Sequence, residues 1–198
     1  MENIDLTYFL AYNKNSMKNF ECLINDKKTL FLYAIRAFLT VLVIAVVAFI
    51  FSNSLANGEQ SAEQSHEVTI AVQQTIATIA PSSPIATAEG EDFEKLHNGV
   101  RTIAHFTEYT LLGGLAFWCY LSYTRKKSFA VFPILGVALV AVIDECIQSF
   151  VAGRAGEALD VLVDIAGGMM GVAFALVAFY VGMIFWNRRK IWGKKACK

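Results

Sequence analysis

Residues 144–164, DECIQSFVAGRAGEALDVLVD, set Asp144, Glu145, Arg154, Glu157, Asp160 and Asp164 between two of the most apolar runs in the chain. Residues 129–143 before the stretch and 165–186 after it carry no charged side chain. A helix needs about 20 apolar residues to cross about 30 Å of hydrocarbon. Two such runs joined by a short polar turn read as a hairpin of membrane helices, with the charges where the chain leaves and re-enters the bilayer.

The same test, carried outward, finds two more candidates. Four spans are expected, at about 30–52, 103–123, 129–150 and 159–186, which makes the chain an all-α membrane protein, a bundle of four transmembrane helices. The first span has Arg36 in its opening turns and no charge from Ala37 to Phe51. It is too long, and starts too far into the chain, for a cleaved leader, so it is expected to remain. The second carries His105 and Glu108 near its start. The fourth is long enough to imply tilt.

Hydrophobic residues make up 56% of the 198, and they come in blocks rather than spread as the core of a soluble domain. The 17 basic and 17 acidic residues cancel, so no overall field points to a nucleic-acid partner. Cys22, Cys119, Cys146 and Cys197 are scattered and form no C-x-x-C, which reads as ordinary thiols rather than a disulfide or zinc framework.

The balanced total conceals an asymmetry along the chain. Lys14, Lys18, Lys27 and Lys28 precede the first span, Arg125, Lys126 and Lys127 fill the turn after the second, and Arg188, Arg189, Lys190, Lys194, Lys195 and Lys198 follow the fourth. The loop from Asn53 to Val100 instead holds Lys95 against Glu59, Glu63, Glu67, Glu89, Glu91, Asp92 and Glu94. Basic segments stay in the cytoplasm. Residues 1–28 and the basic tail 187–198 are therefore expected inside, flanking a transmembrane domain at 29–186, and the loop 53–102 and the turn 151–158 outside. In the long loop, Val68, Val72, Ile76 and Ile79 recur at helical spacing before PSSP (81–84) breaks the pattern. Phe93, Leu96, Val100 and Ile103 then form a second apolar face that extends the second span outward. Both read as packing faces.

With that orientation the polar residues of three spans meet at one level. Arg101, His105 and Glu108 share a helix face, as do Asp144 and Gln148, with Glu145 beside them, and Asp160 with Asp164. Arg154 in the connecting turn can fold over the group. An ionisable residue in hydrocarbon costs about 2.5–3.5 kcal/mol by insertion scales, so such groups face one another or a wet cavity. Polar contacts between membrane helices average only about 0.6 kcal/mol, and one or two pairs would lock a bundle. This set exceeds a lock. It reads as a ligand-binding cup, open outward and closed below. Gly167 and Gly171, with Gly168 beside them, and Gly113–Gly114 would bring the helices close.

Catalysis is the alternative. His105 with Glu108 could serve as base and orienter with Asp160 or Glu145 as acid, or His105 and carboxylates could hold a divalent cation for hydrolysis of a lipid-linked substrate. H-x-x-E is a weak signal alone, and H-E-x-x-H and G-x-S-x-G are absent from the sequence. No cofactor is expected and no metal-ligand set is assigned. A transporter reading is weaker, because the polar groups lie at one end and no second half repeats the first.

Three pieces, FSNSLANGEQSAEQS (51–65), RTIAHFTEYTLLG (101–113) and DECIQSFVAGRAGEALDVLVDIAGGMMG (144–171), resemble the VanZ-like family of bacterial membrane proteins. The last is the most specific, through Glu145, Gln148, Arg154, Asp160 and the glycines that follow. The likeness covers roughly residues 30–186. It departs at Ala152, where the family often has proline before the Gly-Arg pair. The resemblance implies an integral membrane protein of the cell envelope, linked in the founding member with reduced susceptibility to teicoplanin-type glycopeptides. The partners this implies are membrane lipids and an anionic envelope ligand such as a lipid-linked wall precursor. It supplies no biochemical mechanism.

Overall fold

The computed structural model describes residues 27–124, 130–153 and 158–195. Among the described residues five helices follow one another: α1 (Lys27–Leu55), α2 (Gly58–Ile79), α3 (Glu91–Tyr123), α4 (Val131–Ser149) and α5 (Ala158–Lys195). No strand occurs among the described residues.

Large apolar side chains point outward, which is the reverse of a soluble domain. Phe38, Val41, Ile44 and Phe49 on α1, Leu135 and Leu139 on α4, and Phe174 and Val177 on α5 are all exposed. Thr29–Leu55, Val131–Ser149 and Leu159–Asn187 are long and apolar enough to cross a bilayer. The span expected at 103–123 is helical throughout, as the second half of α3, but does not reach the same apolarity. His105, Thr107, Glu108 and Tyr109 dilute its first turns, and unbroken apolar sequence begins only at Leu111. α3 depends on its neighbours to cover that polar face.

Those neighbours pack closely. The most extensive interface is α3 against α5, and glycine makes it possible. A Cβ at Gly113 would run into the Gly168 carbonyl, one at Gly167 would lie 2.5 Å from the Phe106 carbonyl oxygen, and one at Gly171 would run into that of Thr110. The two backbones touch, and Thr110 Oγ1 donates across the gap to Gly167 O at 3.1 Å. Around this contact Ile50, Tyr109, Leu112, Val137 and Ala141, from α1, α3 and α4, form one buried cluster. Phe117, Val172 and Ala175 form a second, further along the bundle.

At the far end of α3, Arg36 Nε donates to the carbonyl of Ser122 at 2.9 Å, taking one of the orphan acceptors of the last turn. Its guanidinium lies 5.7 Å from the Tyr33 ring centre and 5.2 Å from that of Tyr123. Arg36→Ala should loosen this end by about 1 kcal/mol, the worth of one cap and an exposed cation–π contact. Faster amide exchange confined to residues 119–124 would show it; unchanged exchange there would count against the clasp.

The loop between α1 and α3 is largely helical. α2 contains the Val68–Ile79 periodicity and stops before Pro81, as expected. Its buried face is shifted from the expected one, however. Val68 and Ile79 are exposed, and the side turned inward carries Ser61, Ser65, Thr69, Val72, Gln73 and Ile76. Thr69 is fully buried because its hydroxyl is satisfied by the Ser65 carbonyl at 2.7 Å. Gln73 Nε2 donates to Ala88 O at 2.9 Å, and His66 meets Phe93 edge-on at 5.1 Å, so α2 lies along the N-terminal turns of α3. The expected apolar face of α3 is likewise partial: Phe93, Leu96 and Val100 are partly covered, while Ile103 is exposed.

Candidate functional site

Helical spacing fixes which side chains can meet, and the α3–α5 glycine contact fixes how closely. Arg101, His105 and Glu108 descend one face of α3. Asp160 and Asp164 descend the facing side of α5. Between these helices lies a cavity of about 300 Å³ bordered by Asn98, Arg101, Thr102, His105, Asp160 and Asp164. A second cavity, of about 370 Å³, lies beneath α2 and against α1, bordered by Asn53, Ser54, Ser65, Arg101, His105 and Glu108. Arg101 and His105 border both, so the two spaces adjoin along one stripe of α3. A third cavity, of about 390 Å³, is lined by apolar groups of α1, α3 and α4 and holds none of the candidate site residues.

Behind the polar cavities lies a sealed network. Asp144 and Gln148, one turn apart on α4, are both buried, and so is Ser54 near the end of α1. Ser54 Oγ donates to Asp144 Oδ1 at 2.5 Å. Gln148 Nε2 donates to Asp144 Oδ2 at 3.0 Å and to Ser54 Oγ at 3.3 Å. Beside it, Asn53 Nδ2 donates to Glu108 Oε1 at 3.2 Å. Glu145 is buried on α4 but borders neither polar cavity. His105 presents Nδ1 to Asp164 Oδ1 at 3.7 Å.

Of the residues expected to converge, His105, Glu108, Asp144, Gln148, Asp160, Asp164 and Arg101 are brought to the same end of the bundle. Arg154, expected to fold over them, lies outside the described residues, as does Glu157. The expectation of three contributing spans falls short of the arrangement. α1 is the fourth contributor, through Asn53 and Ser54. The signal for them was two small polar residues directly after an apolar run, at the head of one of the quoted motifs. Tyr109, fully buried between the acids and the apolar cluster, was also not singled out; it sits among charged candidates on the α3 face.

The arrangement offers a guanidinium at the cavity border, hydrogen-bonding side chains around it, and carboxylates with one imidazole beneath. Such a set can hold a polar or ionic group. The nitrogen of His105 and carboxylate oxygens of Asp144 and Asp164 are grouped closely enough to take a cation.

A family model described as VanZ/LLP1 matches residues 38–186. No curated protein and no solved structure matches the chain.

Proposed function

The chain belongs to the VanZ/LLP1 family, and on that premise we propose that its polar cavities bind an anionic ligand of the cell envelope. The observation that carries this reading is the position of Arg101, which borders both cavities, the first shared with Asn98 and Thr102 and the second with Asn53 and Ser65. Guanidinium pairs in two-point fashion with carboxylate or phosphate, the charged groups of wall precursors, envelope lipids and lipoglycopeptides.

In this reading the protein is a multi-pass protein of the cell membrane. α3 is the fourth span, and both termini lie in the cytoplasm. The Lys and Arg distribution supports that orientation. The covering of α3 by α1, α4 and α5 supports its place in the bilayer, because a helix carrying ionisable groups is tolerated there when those groups face the bundle interior. The cavities then open toward the outer surface, where α2 overlies them. Occupation of the cavities by an envelope molecule is the proposed route to lowered glycopeptide susceptibility.

Arg101→Ala should weaken saturable binding of anionic envelope lipid or lipid-linked precursor by about 10- to 100-fold, the worth of a hydrogen bond to a charged group. The measurement uses purified protein in nanodiscs of neutral lipid. Undiminished binding by the variant, or none by the wild type, would sink the reading. In a susceptible host, teicoplanin titration should separate wild type from Arg101→Ala and Asp160→Asn at equal membrane abundance.

A further inference from the structure

The two most deeply buried acids of the site sit on different helices and face one histidine on a third. Asp144 on α4 is 0% exposed and Asp164 on α5 is 1% exposed. One donor atom from each, with one ring nitrogen of His105 on α3, lie within 4.8 Å of one another.

The two carboxylates are not in the same condition. Both oxygens of Asp144 accept hydrogen bonds, from Ser54 and Gln148. Both oxygens of Asp164 are sealed from solvent and have no hydrogen-bond partner among the described residues. The His105 nitrogen at 3.7 Å is beyond hydrogen-bonding length. Asp144, Asp160, Glu145 and Glu108 all bear on Asp164 as acids, against the His105 imidazole and Arg101, which borders the same cavity. A buried, ionised carboxylate among acids, with its lone pairs unused, is an unfavourable arrangement that a proton or a bound cation relieves, and a cation also uses the lone pairs.

We propose that His105, Asp144 and Asp164 bind a divalent first-row transition ion, Zn²⁺ or Mn²⁺, at the base of the first cavity. One imidazole nitrogen and two carboxylate oxygens form a donor set suited to such ions. Zn–N and Zn–O bonds of about 2.0–2.2 Å place ligand atoms roughly 3.4 Å apart in a tetrahedral site, so side-chain rotations of about 1 Å close the group. Ser54 and Gln148 already hold Asp144 in orientation, as hydrogen-bond partners of a ligating carboxylate do. Three protein ligands leave room in the coordination shell for a further ligand. The ion also ties α3, α4 and α5 together at the level where their charges oppose one another.

A competing place for a metal exists outside the bundle, where the His66 and His97 rings lie 6.4 Å apart near Glu94. The test therefore uses full-length protein stripped with chelator and titrated with Zn²⁺ or Mn²⁺ alone, by equilibrium dialysis and calorimetry. About one ion per chain is expected, with affinity falling at least tenfold in His105→Ala and Asp164→Asn and unchanged in the His66→Ala/His97→Ala pair. Should either site variant fail to fold, electron spin echo spectroscopy on wild type loaded with Mn²⁺ or Cu²⁺ should show coupling to a single imidazole nitrogen. Substoichiometric binding, equal affinity in wild type and His105→Ala, loss only in the His66→Ala/His97→Ala pair, or no imidazole coupling would overturn the assignment. No lipid ligand enters this titration, so its failure and that of the Arg101 experiment are separate results.

Discussion

Gly171→Leu should separate α3 from α5 and remove the site with them. A Cβ at Gly171 runs into the Thr110 carbonyl and comes within 2.8 Å of the Gly114 nitrogen. Both obstacles are backbone, so no side-chain rotation relieves the clash. Over-packing commonly costs about 1–3 kcal/mol, and more where the neighbour cannot move, which leads us to expect a loss of at least about 3 kcal/mol. The measurement is thermal unfolding of protein solubilised from membranes, with membrane abundance as a second readout. Gly182→Leu is the matched control, since a Cβ there meets nothing within 4 Å on the same helix. Equal melting of the two variants would show that the α3–α5 contact does not hold the bundle.

Asp164→Asn should stabilise the metal-free protein and lose that advantage when metal is present. In chelator, the substitution removes a sealed carboxylate that lacks hydrogen-bond partners among the described residues and is surrounded by acids. The gain should be about 1 kcal/mol or more and comes from removing the charge alone, since the amide leaves two polar atoms in the same place. With Zn²⁺ at a hundredfold excess over the wild-type Kd, wild type should gain about 2.7 kcal/mol by mass action and a variant of tenfold weaker affinity about 1.4 kcal/mol, so the gap between the two proteins closes by about 1.3 kcal/mol or more. Thermal unfolding in the two buffers measures both halves. A variant less stable than wild type in chelator would mean that the Asp164 carboxylate is well solvated or well paired in the metal-free protein.

Much of this architecture could be read from the chain. Blocks of about 20 apolar residues announce α1, α4 and α5, and the i, i+4 spacing of Arg101–His105, Asp144–Gln148 and Asp160–Asp164 announces shared faces. What spacing cannot convey is depth. Asp160 and Asp164 are equivalent in sequence, yet only Asp164 is sealed, because it lies next to the glycine turns of α5, where Gly167 meets the Phe106 carbonyl of α3 and Gly168 meets Val137 of α4. Asn53 and Ser54 escaped notice because small neutral side chains leave no periodic mark, and their role arises only when α1 reaches α3 and α4. The inward side of α2 was missed for a related reason: Ser65 and Thr69 satisfy their hydroxyls on the helix itself, so a polar stripe could turn inward where apolar residues were expected.

α3 runs without interruption from Glu91 to Tyr123, pressed backbone to backbone against α5 at Gly113 and gripped by Arg36 at Ser122. From that glycine the rod extends about 18 Å to Arg101 in one direction and about 14 Å to Ser122 in the other, at 1.5 Å per residue. The glycine contacts with α5 run from Phe106 to Gly114, so the rod is anchored along its middle rather than at one point, and Arg101 and Ser122 lie on overhangs at either side of that anchorage.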